Sequence, residues 1–469
     1  MGVLDSLQPK RVFKYFEDIC QIPHGSGNME QISNYCINFA TSHNLQYYTD
    51  SYYNVVIKKS ASKGYENHPP IILQGHLDMV CEAVAGVEFD FENSPLNLEI
   101  DGDFIKAKDT TLGGDDGIAV AMILAILEDD SLSHPAIEAV FTTDEETGLF
   151  GAQGLDTSVL SASNLINIDS ETMGVLTVSC AGGARADLRL SFDFDECEMP
   201  CYQVTVGGLI GGHSGAEINK GGLNANKVMG QFLASLSSYQ IGCINGGSKD
   251  NVITKECVCL VATDDDINKK ATDFVNNNKN EVDKDLFIKI AKASPCPVFN
   301  KENSVKLVDL INRLPYGVIK MSEEIENLVQ TSLNMGVVAT NDNNINISFS
   351  VRSSVTNEKE QLIEKLEEIS KQFGAQFSTY GHYPAWQYKK ESKLRDIMAQ
   401  SYVDLFNTPV KIEAIHAGLE CGMFSQKIDN FDAVSIGPDL YDIHTPDEKL
   451  SIKSVEKCYN YLIEILKRL

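Results

Sequence analysis

The chain has no apolar run of membrane-spanning length, and its opening Met1-Gly2-Val3-Leu4-Asp5 carries neither the basic region nor the apolar core of a secretion signal. A cytoplasmic location without a membrane partner is the expectation. Low-complexity tracts and repeats at a solenoid period are also missing, which argues against a linker-rich or repeat architecture. Positive charge is scarce, with 39 basic side chains against 66 acidic ones and a formal net charge of −27. Such a surface repels phosphate backbones, and no local basic patch offsets it, so nucleic acid is not an expected partner. Paired cysteine motifs are lacking too. Twelve cysteines are spread thinly over the chain. Cys257 and Cys259 share one face of a predicted strand, but no second pair completes a zinc site, so ordinary packing of reduced thiols is expected.

What is present is a globular composition, 43% hydrophobic, in 469 residues. That length exceeds one ordinary core and predicts two domains. A helical pattern over residues 12–19 is followed by alternating strands and helices to about residue 178, the rhythm of a mostly parallel sheet. From about residue 184 the texture changes to amphipathic strands, such as 186–190 and 202–206, separated by helical stretches. The last of these strands, 344–352, buries its isoleucines, Phe349 and Val351 by strict alternation and turns Arg352 to the polar side. After a predicted helix over 358–373, helix and strand alternation resumes. The expected architecture is α/β: a mostly parallel-sheet catalytic domain formed by 1–183 and 386–469, holding an inserted antiparallel α+β domain of 184–385.

Carboxylates and imidazoles cluster at strand ends, where open α/β sheets place their sites. Pro70-Ile71-Ile72-Leu73-Gln74-Gly75 leads to His76 and Asp78, and Ile137-Glu138-Ala139-Val140-Phe141-Thr142 stops just before Glu145 and Glu146. Leu165-Ile166-Asn167-Ile168 delivers Asp169, and Phe431-Asp432-Ala433-Val434-Ser435-Ile436 leads into the loop of His444. Asp115 arrives in Gly113-Gly114-Asp115-Asp116-Gly117 before a buried apolar helix over 118–127, so it reads equally as a helix cap. Nitrogen and oxygen donors without thiolate suit Zn²⁺ first, with Co²⁺ or Mn²⁺ as alternatives. Two divalent cations set against three such carboxylates would leave one positive charge, a centre that acidifies water and polarises an amide.

Together with Gly211-Gly212-His213-Ser214-Gly215 and Ile415-His416-Ala417-Gly418-Leu419-Glu420-Cys421-Gly422, these motifs resemble the M20 metallopeptidases, over essentially the whole chain. Within them the pattern is similar to the aminoacyl-histidine dipeptidase branch. The resemblance implies a dinuclear dipeptidase acting on unblocked dipeptides, Xaa-His included. It implies that His76 and Asp169 hold one metal ion, Glu146 and His444 the other, and that Asp115 bridges them, with a cis peptide to Asp116. Glu145 would activate a metal-bridging water as general base, and Asp78 would orient His76. His213 and Arg352, from the inserted lid, would bind the oxyanion and the substrate carboxylate. A homodimer whose lids close over a small peptide is the implied assembly.

Other readings stay open on the residues alone. Asp78 also reads as a solvated loop aspartate and Arg352 as an ordinary surface arginine on a strand. Glu420 either meets the substrate amino group or shapes its own turn, and Asn251 is expected near the lid site. His382 and His416 read equally as structural, and His24, His43, His68 and His134 are given no role. An aminoacylase acting on N-acyl amino acids would share the metal centre, and a non-catalytic metal-binding protein would keep the ligands but has no need of Glu145.

Overall fold

Strand Ile71–His76 is buried from end to end, which requires cover on both faces of its sheet. In the computed structural model, which describes residues 2–469, this strand lies inside an eight-stranded sheet. Across the sheet the order is Gln46–Thr49, Val55–Lys59, Ile137–Thr142, Ile71–His76, Asn164–Asn167, Asp432–Ser435, Val175–Cys180 and Lys411–Ile415. The four strands that lead to the acidic loops run parallel: Ile71–His76 pairs with Ile137–Thr142 and with Asn164–Asn167, which pairs in turn with Asp432–Ser435. Their carboxyl ends therefore open at one rim, as the alternation predicts. The predicted N-terminal helix is Lys10–Cys20. The apolar helix is Gly114–Glu128, whose side chains from Ile118 to Leu127 are all buried, and Ile452–Arg468 closes the chain.

The chain divides into two compact units. One contains this sheet and takes the chain up to Ser179 together with Tyr388–Ala414 and Leu419–Leu469. The other is Cys180–Gln387 with the short return Ile415–Gly418, a return that the sequence pattern does not announce. The second unit is built on a nine-stranded sheet whose described pairings are all antiparallel, including the long partners Val329–Asn341 and Asn344–Ser353. Its core gathers Ile345, Ile347, Phe349 and Val351 with Phe232, Leu307, Leu310 and Leu366 from its helices. Cys257 and Cys259 lie on one face of strand Cys257–Ala262, fully buried in that core.

Candidate metal centre

His76, 1% exposed, ends its strand with its two ring nitrogens committed to different surroundings. Nδ1 lies 3.0 Å from the carbonyl oxygen of Asp78 and 3.6 Å from its Oδ1. Nε2 faces Asp115 Oδ1 at 3.1 Å and Asp169 Oδ1 at 3.8 Å. On the other side Asp115 Oδ2 lies 3.3 Å from His444 Nε2, which is 2.9 Å from Glu146 Oε1. The two oxygens of Asp115 thus serve two different histidines, and the Asp115–Asp116 peptide is cis. The cap alternative for Asp115 is not what forms, because the N-cap position is Gly113 and the Asp115 backbone is itself non-helical.

Donor chemistry tests the fit of this cluster to a cation. Nδ1 of His76 donates to the Asp78 carbonyl, and its Nε2 faces two carboxylate oxygens that call for positive charge beside them. Burial lowers the His76 pKa, but hydrogen bonds to Asp115 and Asp78 hold it well above the usual imidazole range, so a proton occupies the place a cation would take. Asp169 Oδ2 is buried with no hydrogen-bond partner. Burial, reinforced by the neighbouring acids, pushes the carboxyl groups of Asp169 and Glu145 well above the ordinary range. Hydrogen bonds donated to the carboxylates of Asp115 and Glu146 raise His444 to about 10. Donor atoms of His76, Glu145 and Glu146 come within 4.8 Å of one another, as do those of Asp115, Glu146 and His444. These residues fit a pair of divalent ions. Donor atoms of His76, Asp116 and Asp169 form a third such group, and Asp116 Oδ2 also accepts the His76 backbone N–H at 3.1 Å.

Asp78 is buried, which removes the solvated-loop alternative. It meets the His76 ring twice, with its main-chain carbonyl as the nearer partner and its carboxylate beyond it. Its carboxylate accepts the Ser26 hydroxyl at 2.7 Å and the backbone N–H groups of Glu145 and Glu146 at 3.0 and 3.2 Å. Asp78 therefore braces the loop that carries the next two acids.

Glu420 opens helix Glu420–Lys427 and is fully buried. Its Oε2 accepts from Gln74 Nε2 and, at 2.6 Å, from Thr142 Oγ1, while Asn167 Nδ2 donates to Gln74 Oε1 at 2.6 Å. Burial raises Glu420 to about 7. One carboxylate oxygen thus ties together the strands that end at His76 and Thr142 rather than its own turn, while Oε1 is buried without a hydrogen-bond partner. Neither this network nor Glu448, described below, carries a signal in the sequence, because each residue is an ordinary polar one until its distant partner is known.

In the inserted unit, strand Gly212–His213 pairs with Val252–Ile253, and the Asn251 carbonyl accepts the Ser214 N–H at 2.9 Å, so Asn251 and His213 are neighbours as expected. Arg352 lies on the opposite strand face from Val351 but is only 7% exposed, which corrects the surface-arginine alternative. Its Nη1 donates to the Tyr383 hydroxyl at 3.2 Å and to the His416 carbonyl at 3.4 Å, and its Nε is buried without a partner. Burial and then Arg352 hold His213 below its usual value and His416 at about 3, so His416 is a neutral ring bonded to Ser332 Oγ at 2.7 Å. His382 is exposed on strand Gln376–Tyr383.

A cluster of histidine and carboxylate donors on the rim of a parallel sheet, with Glu145 among its acids, is the type of site found in metallohydrolases. The sequence profile of Peptidase family M20/M25/M40 matches residues 72–468, and the chain belongs to that family. It is 36% identical to the cytosol non-specific dipeptidase of Escherichia coli (strain K12), over all of this chain and 99% of that protein. The crystal structure of aminoacylhistidine dipeptidase from Vibrio alginolyticus superposes with a TM-score of 0.92 at 34% identity, covering 99% of this chain and 98% of that one. The aminopeptidase PepT of Bacillus cereus shares the fold alone, with a TM-score of 0.58 at 15% identity over 98% of each chain.

Proposed function

We propose that this protein is a cytoplasmic, dinuclear metal-dependent dipeptidase that hydrolyses unblocked dipeptides, Xaa-His among them. The observation that carries the reading is the division of the Asp115 oxygens between His76 and His444, with Asp169 and Glu146 beside them. His76 and Asp169 hold one divalent ion, His444 and Glu146 the other, and Asp115 spans both, with Zn²⁺ favoured by the nitrogen and oxygen donor set. The ions, when bound, supply Lewis acidity that polarises the amide and makes water a nucleophile near neutral pH.

The protein residues do the rest. Glu145 takes the proton of the attacking water and returns it to the departing amine nitrogen. Its position next to Glu146, on a loop braced by Asp78, holds that proton acceptor beside the reacting bond. Arg352 offers a planar fork to the substrate carboxylate, so the enzyme measures length from the C-terminus of its substrate, and His213 stabilises the oxyanion. Both belong to the inserted unit, which in this reading is a lid whose closure completes the site in a homodimer.

The test is release of free histidine from a set of Xaa-His dipeptides by chelated protein refilled with Zn²⁺, Mn²⁺ or Co²⁺, with N-acetyl amino acids run alongside. Metal-restored release from the free dipeptides is expected. Preference for the acetylated substrates would assign the protein to acyl hydrolysis instead.

A further inference from the structure

The loop that carries His444 is the tip of a hairpin in which Leu440 pairs with Leu450 and Tyr441 with Lys449. Within it Thr445 Oγ1 donates to the Asp442 carbonyl at 2.6 Å and Lys449 Nζ meets Asp442 Oδ2 at 2.7 Å. Four residues past His444, Glu448 turns inward and is 2% exposed. Its Oε2 accepts the backbone N–H groups of Leu112 and Gly113 at 2.7 and 3.2 Å, and its Oε1 those of Gly114 and Asp115 at 2.8 and 3.3 Å. Gly113, at φ +66°, lets these successive N–H groups converge, forming an anion-binding nest that the carboxylate fills. A Cβ at Gly114 would fall 2.7 Å from Leu440 Cδ2 and 3.2 Å from Glu448 Oε1, so the fit is close.

We infer that Glu448 is a positioning residue for the metal centre: it locks the Asp115 turn to the His444 loop and so sets the spacing of the Asp115, Glu146 and His444 donors. Satisfying four orphan N–H groups at a helix start would need only some acceptor, and water or a local side chain commonly serves. Here the acceptor comes from the one loop whose histidine must meet Asp115, more than three hundred residues away. Asp78 does the same between the His76 and Glu146 loops, so each of these two loop pairs is cross-braced by a carboxylate on backbone N–H groups. Glu448→Gln keeps the shape but presents an N–H₂ group to two of the four donors, and Glu448→Ala removes the brace.

The inference rests on the two-metal reading above, and the experiment separates the two. Co²⁺ is titrated into chelated wild-type, Glu448→Gln and Glu448→Ala proteins while the visible absorption of the ion is followed. Wild type is expected to take up two equivalents. The variants should keep one affinity and lose about 10–100-fold in the other, the usual effect of an outer-shell partner. Their kcat should fall at limiting Co²⁺ and recover in excess Co²⁺ with KM unchanged. Glu138→Gln, which alters a buried carboxylate that accepts the Ser161 and Ala162 N–H groups, controls for general loosening and should bind Co²⁺ as wild type does. Folded Glu448 variants with both affinities at the wild-type level would overturn the role even if their melting temperatures fall, and so would loss of folding in both variants. A wild type that takes up no second Co²⁺ would overturn the two-metal reading itself.

Discussion

Glu145 and Glu146 are adjacent and chemically near-identical, and the proposed mechanism gives them opposite tasks. Glu146 Oε1 meets His444, whereas half-buried Glu145 has no ion-pair partner among the described residues. Burial raises Glu145, the direction a general base near neutral pH requires. Glu145→Ala should therefore leave metal content intact and lower kcat by about 10²–10⁴-fold. Metal analysis and steady-state kinetics on the same preparation check it, and full activity would remove Glu145 from the mechanism. At this scale the donor-bearing residues were legible in the sequence, because donor chemistry is a property of residue type. The state of Arg352 was not: alternation placed it on the correct strand face, but only the Tyr383 and His416 segments bury it.

The elements deliver these residues through strand ends that are held closely together. Beyond Asp432–Ser435 the Ile436 carbonyl accepts the Ser170 N–H at 3.1 Å, and a Cβ on Gly437 would fall 1.6 Å from the Ser170 carbonyl oxygen. No rotamer relieves a clash with backbone, so Gly437→Ala must push the Asp169 turn away from its neighbour. We expect a loss of about 1–3 kcal/mol in urea unfolding, typical of overpacking, together with weaker metal binding. A wild-type midpoint would show that the two strand ends have more freedom than their hydrogen bonds imply. The strands themselves could be read from the sequence, since a strand covered on both faces must be an unbroken apolar run. The start of helix Gly114–Glu128 could not be, because acids before an apolar helix normally mean a cap, and here a carboxylate from a distant loop takes that place.

For the whole molecule the dominant electrostatic fact is the net charge of −27, concentrated in part where Asp115, Glu145, Glu146 and Asp169 are brought together. Folding crowds these acids, and divalent cations that bind only the folded chain offset the repulsion. Each site filled at a hundredfold excess over its Kd contributes about 2.7 kcal/mol. Chelation should therefore lower the melting temperature by several degrees, and refilling with Zn²⁺ should restore it. An unchanged melting curve would mean that the cluster gains nothing from metal. The sequence by itself determined which histidines and carboxylates stand at strand ends, the parallel strands that lead to them and the antiparallel strands of the middle of the chain, because these follow from residue chemistry and from burial periodicity along the chain. Only the tertiary structure decided how the donors are held: Glu448 on the Asp115 turn, Asp78 on the Glu146 loop, Glu420 beneath the strands, and the return of Ile415–Gly418 to the inserted unit. Such hydrogen bonds join residues dozens to hundreds of positions apart, and no local pattern of hydrophobicity or turn chemistry records which distant backbone a carboxylate will meet.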